Sequence, residues 1–216
     1  MRTGLEMALG HRRFGQILLG RRLDLLRKAI LQAFLVGEEP PTASTLAKSL
    51  AWTEEEVKAH LEELAGREVI GLRDGDGAIQ RAYPFSAAPT PHRVLLGTRR
   101  EVHGLSAVDA LGIPLLAGGA GEIHSLSPLS GRQIHITIKK YRVEEYQPEG
   151  CIIGVAGDKK GSVLDAFSKN TQFFASSKEW RDWLAEHREQ RGNVLSLRTA
   201  MLLARHAFDD RFASAS

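Results

Sequence analysis

Val69-Ile-Gly-Leu-Arg73, Asp74-Gly-Asp-Gly77 and Ala78-Ile-Gln-Arg-Ala-Tyr83 read as two short strands around a tight turn, the glycines being free to adopt positive φ. What precedes this hairpin sets its meaning. Leu25, Leu26, Ala29, Ile30, Ala33 and Phe34 lie on one stripe of a helix that starts at Asp24 and ends near Gly37, Pro40 and Pro41. A second helix follows, capped by Thr42 or Ser44 and burying Leu46, Ala47 and Leu50. Thr53 opens a third with Glu56 three residues on, a capping box, and turns Val57, Leu61 and Leu64 inward before Gly66. Three helices and a hairpin in this order predict a winged helix-turn-helix over residues 24–83.

On either side the texture changes. Residues 1–23 form a basic leader in which Arg2, Arg12, Arg13, Arg21 and Arg22 mix with Leu5, Leu9, Phe14, Ile17 and Leu18. A frayed or packed helix fits this mixed pattern better than a membrane-surface helix. Pro84, Pro89 and Pro91 mark a linker over 84–92. Residues 93–216 predict an α+β domain of mixed strands with flanking helices. Its expected strands are 93–96, 102–105, 122–126, 133–139 and 151–155. A short helix over 106–111 should stop before Pro114, and helices are expected over 177–190, capped by Ser176, and over 194–208.

Composition narrows the function. The 216 residues carry 29 Lys+Arg against 26 Asp+Glu, 43% hydrophobic residues and one cysteine. That apolar fraction supports a folded core. A lone thiol excludes an internal disulfide and Cys₂ or Cys₄ metal sites. The longest apolar stretch, 107–120, contains Asp109 and Pro114 and is too short to span a bilayer. No membrane association is expected, and the setting implied is a reducing cytoplasm.

A net charge of +3 is too small to argue for nucleic acid. The third helix argues against it. Glu54, Glu55, Glu56, Glu62 and Glu63 outnumber Lys58 there, a face that repels phosphate, so packing or partner binding is preferred to DNA for this module.

Several motifs dissolve on inspection. Gly154-Val-Ala-Gly-Asp-Lys-Lys-Gly-Ser162 places its lysines before the last glycine and so is no phosphate loop. Gly118-Gly-Ala-Gly121 lacks the strand–helix context of a dinucleotide turn. His92, His103, His124 and His135 show neither H-x-H nor H-x-x-x-H spacing, so metal ligation would need convergence in the fold, and no metal or cofactor is expected. Cys151, beside Ile152 and Ile153, reads as a small buried hydrophobe. Ser106-Ala-Val-Asp109 has two readings: an N-cap with an acidic third helical residue, or a hydroxyl and a carboxylate presented together where a strand becomes a helix. Local physics favours the cap.

A wider set of segments resembles the alkylmercury lyase (organomercurial lyase) family over about residues 24–208. They are Ala82-Tyr-Pro-Phe-Ser86, Pro89-Thr-Pro-His-Arg-Val94, Ser106-Ala-Val-Asp-Ala-Leu-Gly-Ile-Pro114, Phe167-Ser168, Phe173-Phe-Ala-Ser176 and Trp180. The resemblance implies carbon–mercury protonolysis, with two cysteine thiolates capturing mercury and an aspartate delivering the proton. Asp109 matches that aspartate, whereas Ser106 and Ser168 stand where the cysteines belong. A hydroxyl is harder and far less acidic than a thiol, and Cys151 matches neither position. The expected site is therefore Asp109 as general acid or base with Ser106 and Ser168, lining a pocket for a small non-mercurial ligand. Two alternatives stand beside it: a winged-helix transcriptional regulator or ligand sensor, and an organomercurial lyase with substitute ligands.

Overall fold

The computed structural model describes residues 19–36, 39–97, 100–157 and 170–208. Its architecture is α+β: helices packed on antiparallel sheet. Helices α1 (Arg21–Val36), α2 (Ala43–Leu50) and α3 (Glu54–Gly66) come first, and the hairpin β1 (Ile70–Leu72) and β2 (Ile79–Ala82) follows. The local chemistry that predicted them is in place. Thr42 caps α2. At α3, Glu56 N–H donates to Thr53 Oγ1 at 3.1 Å while Thr53 N–H donates to Glu56 Oε2 at 3.0 Å. In the β1–β2 turn, Gly75 and Gly77 take φ of 92° and 65°, values a side chain would resist. Asp76 pairs with Arg73 and also accepts from Ala78 N–H at 3.1 Å.

Hydrogen bonding does not pause after this hairpin. Residues 84–92, expected as a linker, carry β3 (Phe85–Ser86), which pairs with β2 on one side and with β5 (Arg100–Gly104) on the other. With β4 (Arg93–Leu96), β6 (Gly121–Leu126), β7 (Gln133–Lys139) and β8 (Arg142–Gln147), they form one eight-stranded sheet in the order β1-β2-β3-β5-β4-β6-β7-β8. Strand β7 shows why the sheet has two unlike faces. Ile134, Ile136 and Ile138 are buried while His135 and Thr137 point the other way, the two-residue period read from sequence. A second, three-stranded sheet runs β10-β9-β11, from β10 (Thr171–Phe174), β9 (Ile152–Gly157) and β11 (Arg191–Ser196).

Helix α4 (Ala107–Leu116) sits at the centre, against β4, β5, β6 and β10 and against α6 (Leu197–Phe208). Nine of its ten residues are buried, as expected of a helix apolar on every side. Sequence predicted that it would stop before Pro114; it continues to Leu116 instead. Proline costs one intrahelical bond, but so close to the end the loss is small, and Ala117 N–H still reaches Ile113 O at 3.1 Å. Gly112 leaves room for the Phe208 ring, since a Cβ built there would lie 2.1 Å from Phe208 Cε2.

The expected helix over 194–208 is also corrected. Its first three residues belong to β11, and Ser196 Oγ then caps α6 by accepting from Thr199 N–H at 3.1 Å. Helix α5 (Ser177–Glu186) has the predicted Ser176 cap but ends four residues earlier than expected. Most of the leader, residues 1–18, lies outside the described residues, as do 158–162 of the glycine- and lysine-containing segment.

Candidate functional site

Ser106 ends the run out of β5 and becomes the N-cap of α4, with φ −146° and ψ 172°. Its Oγ accepts from Asp109 N–H at 3.2 Å and donates to Asp109 Oδ2 at 2.7 Å. Both residues are 0% exposed. The cap reading of Ser106-Ala-Val-Asp109 holds, and the cap itself seats a hydroxyl on a buried carboxyl. A hydrogen-bonded Ser–Asp pair shielded from water can hold and relay a proton. Ser168, the third expected member, lies outside the described residues. The chain emerges from that segment into β10, and Thr171, at its start, is fully buried.

A cavity of about 1120 Å³ opens between the α2–α3 part and the sheet. Thr90, His92, Leu105 and Gln172 contribute to its wall; Ser106, the next residue after Leu105, and Asp109 do not. Of the expected trio, the structure thus brings Ser106 and Asp109 together, buried and outside this cavity's lining. Sequence reasoning missed the polar residues that do reach it. His92 is 1% exposed, its Nδ1 lies 2.8 Å from Ser125 Oγ, and its side chain also bonds Gln172. Burial pushes the imidazole down to about 4, so the ring is neutral at physiological pH. Phe173 meets it edge-on at 5.5 Å. The one available signal was His92 in a segment already singled out, Pro89–Val94; Gln172, just before Phe173, lay in none.

Cys151 is 5% exposed, and burial pushes its thiol up to about 12. It is the inert small hydrophobe expected. Three of the five glutamates of α3 are held in ion pairs: Glu56 with Arg22 at 3.0 Å, Glu54 with Lys58 at 2.8 Å and Glu63 with Arg67 at 2.6 Å. No helix among the described residues is long and apolar enough to cross a membrane.

The family model for alkylmercury lyase matches residues 85–209, from β3 to the end of α6. The chain belongs to the alkylmercury lyase family. It is 29% identical over 185 residues to an alkylmercury lyase of Staphylococcus epidermidis, covering 85% of this chain and 82% of that protein. It is 28% identical over 187 residues to one from Bacillus cereus, covering 86% and 82%. In fold it is similar to the crystal structure of the mercury-bound form of MerB2, with a TM-score of 0.78 and 20% identity over 95% of this chain and 98% of that one. In this structure α4 and β10 are both largely buried.

Proposed function

We propose that this member of the alkylmercury lyase family has a diverged site that keeps the carboxyl of Asp109, replaces thiol capture by the hydroxyls of Ser106 and Ser168, and acts on or binds a small non-mercurial ligand. The observation that carries the reading is the buried Ser106 Oγ–Asp109 Oδ2 hydrogen bond of 2.7 Å, oxygen against oxygen where the resemblance calls for sulfur. Protonolysis of a carbon–mercury bond needs a proton for the carbon and a soft ligand for the metal. Asp109 suits the first task. Serine does not suit the second, because it offers no thiolate at neutral pH. Cys151, with its thiol pushed up by burial, offers no substitute. Helices α1–α3 with the β1–β2 hairpin are read as a winged helix-turn-helix used for packing rather than for DNA. Phe34 stacks on Phe85 at 5.3 Å, and the acidic face of α3 opposes phosphate. A cytoplasmic setting accompanies this reading.

The similarity to two alkylmercury lyases across most of the chain favours a second reading, retained carbon–mercury cleavage. One experiment separates the two. Purified chain is incubated with phenylmercury and excess small thiol, and benzene and bound Hg(II) are measured. The expected result is no benzene above the thiol-only background from the natural chain, and its appearance in the Ser106→Cys/Ser168→Cys double variant. Turnover by the natural chain that survives Cys151→Ala overturns the proposal and establishes the second reading.

A further inference from the structure

Two of the four scattered histidines of the strand-rich half come together. Glu122 and His124 stand two residues apart on β6 and so share a face of the sheet. The β6–β7 register sets His124 directly opposite His135. One atom from each of Glu122, His124 and His135 falls within 4.8 Å of the others. His135 Nε2 lies 3.5 Å and His124 Nε2 3.6 Å from the same oxygen, Glu122 Oε2, and the two rings lie 4.5 Å apart.

These spacings have a meaning for metals. An ion bound tetrahedrally by imidazole nitrogen and carboxylate oxygen at roughly 2.0–2.2 Å holds neighbouring donor atoms roughly 3.3–3.6 Å apart. Two of the spacings in this cluster already match. Both Nε2 atoms are shielded from solvent and make no hydrogen bond. The side chains as wholes remain 51%, 41% and 45% exposed, so an ion has access and keeps room for water. Arg93, opposite His124 on the other side of β6, would oppose a cation; its guanidinium is directed instead to Glu101 Oε2, at 2.8 Å. Two imidazoles and one carboxylate select borderline divalent transition ions over Mg(II) or Ca(II), which demand oxygen donors.

We propose that this face of the sheet binds one divalent transition-metal ion, Zn(II) or Cu(II), through Nε2 of His124 and His135 and the carboxylate of Glu122. The site stands apart from Ser106 and Asp109, on the polar face of β6 and β7, and does not depend on which ligand that pair takes.

The test uses full-length chain without a histidine tag, titrated calorimetrically with Zn(II) and, as a control, Mg(II). One Zn(II) per chain and no Mg(II) uptake are expected. Glu122→Gln and His135→Gln should each weaken Zn(II) binding at least about tenfold while circular dichroism stays unchanged. Imidazole NMR of the natural chain gives a readout free of any folding defect: Zn(II) should shift the signals of His124 and His135 before those of the other histidines. No uptake by the natural chain, unchanged uptake by the His124→Gln/His135→Gln variant, or shifts confined to the other histidines would each overturn the proposal.

Discussion

Replacing Ser106 with alanine removes two hydrogen bonds from one buried point. The first is the helix cap, Asp109 N–H to Ser106 Oγ at 3.2 Å; loss of a serine N-cap costs about 1 kcal/mol. The second is Ser106 Oγ–H to Asp109 Oδ2 at 2.7 Å, and a typical side-chain hydrogen bond is worth about 0.5–1.5 kcal/mol. Neither figure needs discounting for solvent, since both residues are 0% exposed. Together they give a loss of about 1.5–2.5 kcal/mol, which for a chain of this size lowers Tm by roughly 3–10 °C. Thermal unfolding followed by circular dichroism measures it, with chemical denaturation as a second estimate. Asp109→Ala supplies the control: in its background Ser106→Ala should cost less, because the acceptor for its hydroxyl is gone. A change in Tm of less than about 1 °C on Ser106→Ala in the natural chain would refute the buried pair itself, and with it the proton-relay chemistry proposed for the site.

Three further outcomes are expected. His92 is held neutral by burial, its folded value about 4 lying below the ordinary 6.5, so the unfolded chain takes up a proton between these values and the folded chain does not. Its contribution is therefore fully present above about pH 6.5 and is lost as pH falls towards 4, an effect on the order of 3 kcal/mol; a denaturation series across that window should flatten in His92→Gln. Gly112→Ala drives a methyl into the Phe208 ring, at 2.1 Å from Cε2, and should destabilise by about 1–3 kcal/mol despite alanine's helix preference; Phe208→Leu in the same chain should recover part of the loss in denaturant titrations. Cys151, buried and pushed up to about 12, should alkylate with iodoacetamide at least about tenfold more slowly in native chain than in urea, as mass spectrometry reads it; equal rates would contradict its burial.

The elements legible in sequence were those whose evidence is local. Thr53 with Glu56, Ser176 with Glu179 and the alternating isoleucines of β7 each announce themselves within a few residues, and each is where it was expected. Strand β8 shows the opposite. It is an edge strand whose residues are mostly exposed, so it carries no apolar alternation, and its turn uses Lys140 and Tyr141 at φ 49° and 63° with no glycine or asparagine to signal it. Strand β10 has only four residues, and β11 hid at the start of a helical pattern. The site divides in the same way. Ser106 and Asp109 are three residues apart and their bond follows from a helix cap. His92, Ser125 and Gln172 come from three separate segments, and only the register of β4 against β6 and the packing of β10 brings them together. The Glu122–His124–His135 cluster required the β6–β7 register in the same way.

The family match begins at residue 85, yet Phe85 is already in the middle of a sheet, bonded to Ala82 on one side and Gly104 on the other. Excising residues 85–209 for study would strip β2 from β3, bare a row of amide groups along the cut, and uncover the ring that Phe34 shields. Such a fragment has a sticky seam where the intact molecule has none, and it would be prone to pair with its own kind. Any attempt to isolate the lyase-like half should keep the preceding helices and hairpin attached, because the point where the family match begins is not a seam along which the protein comes apart.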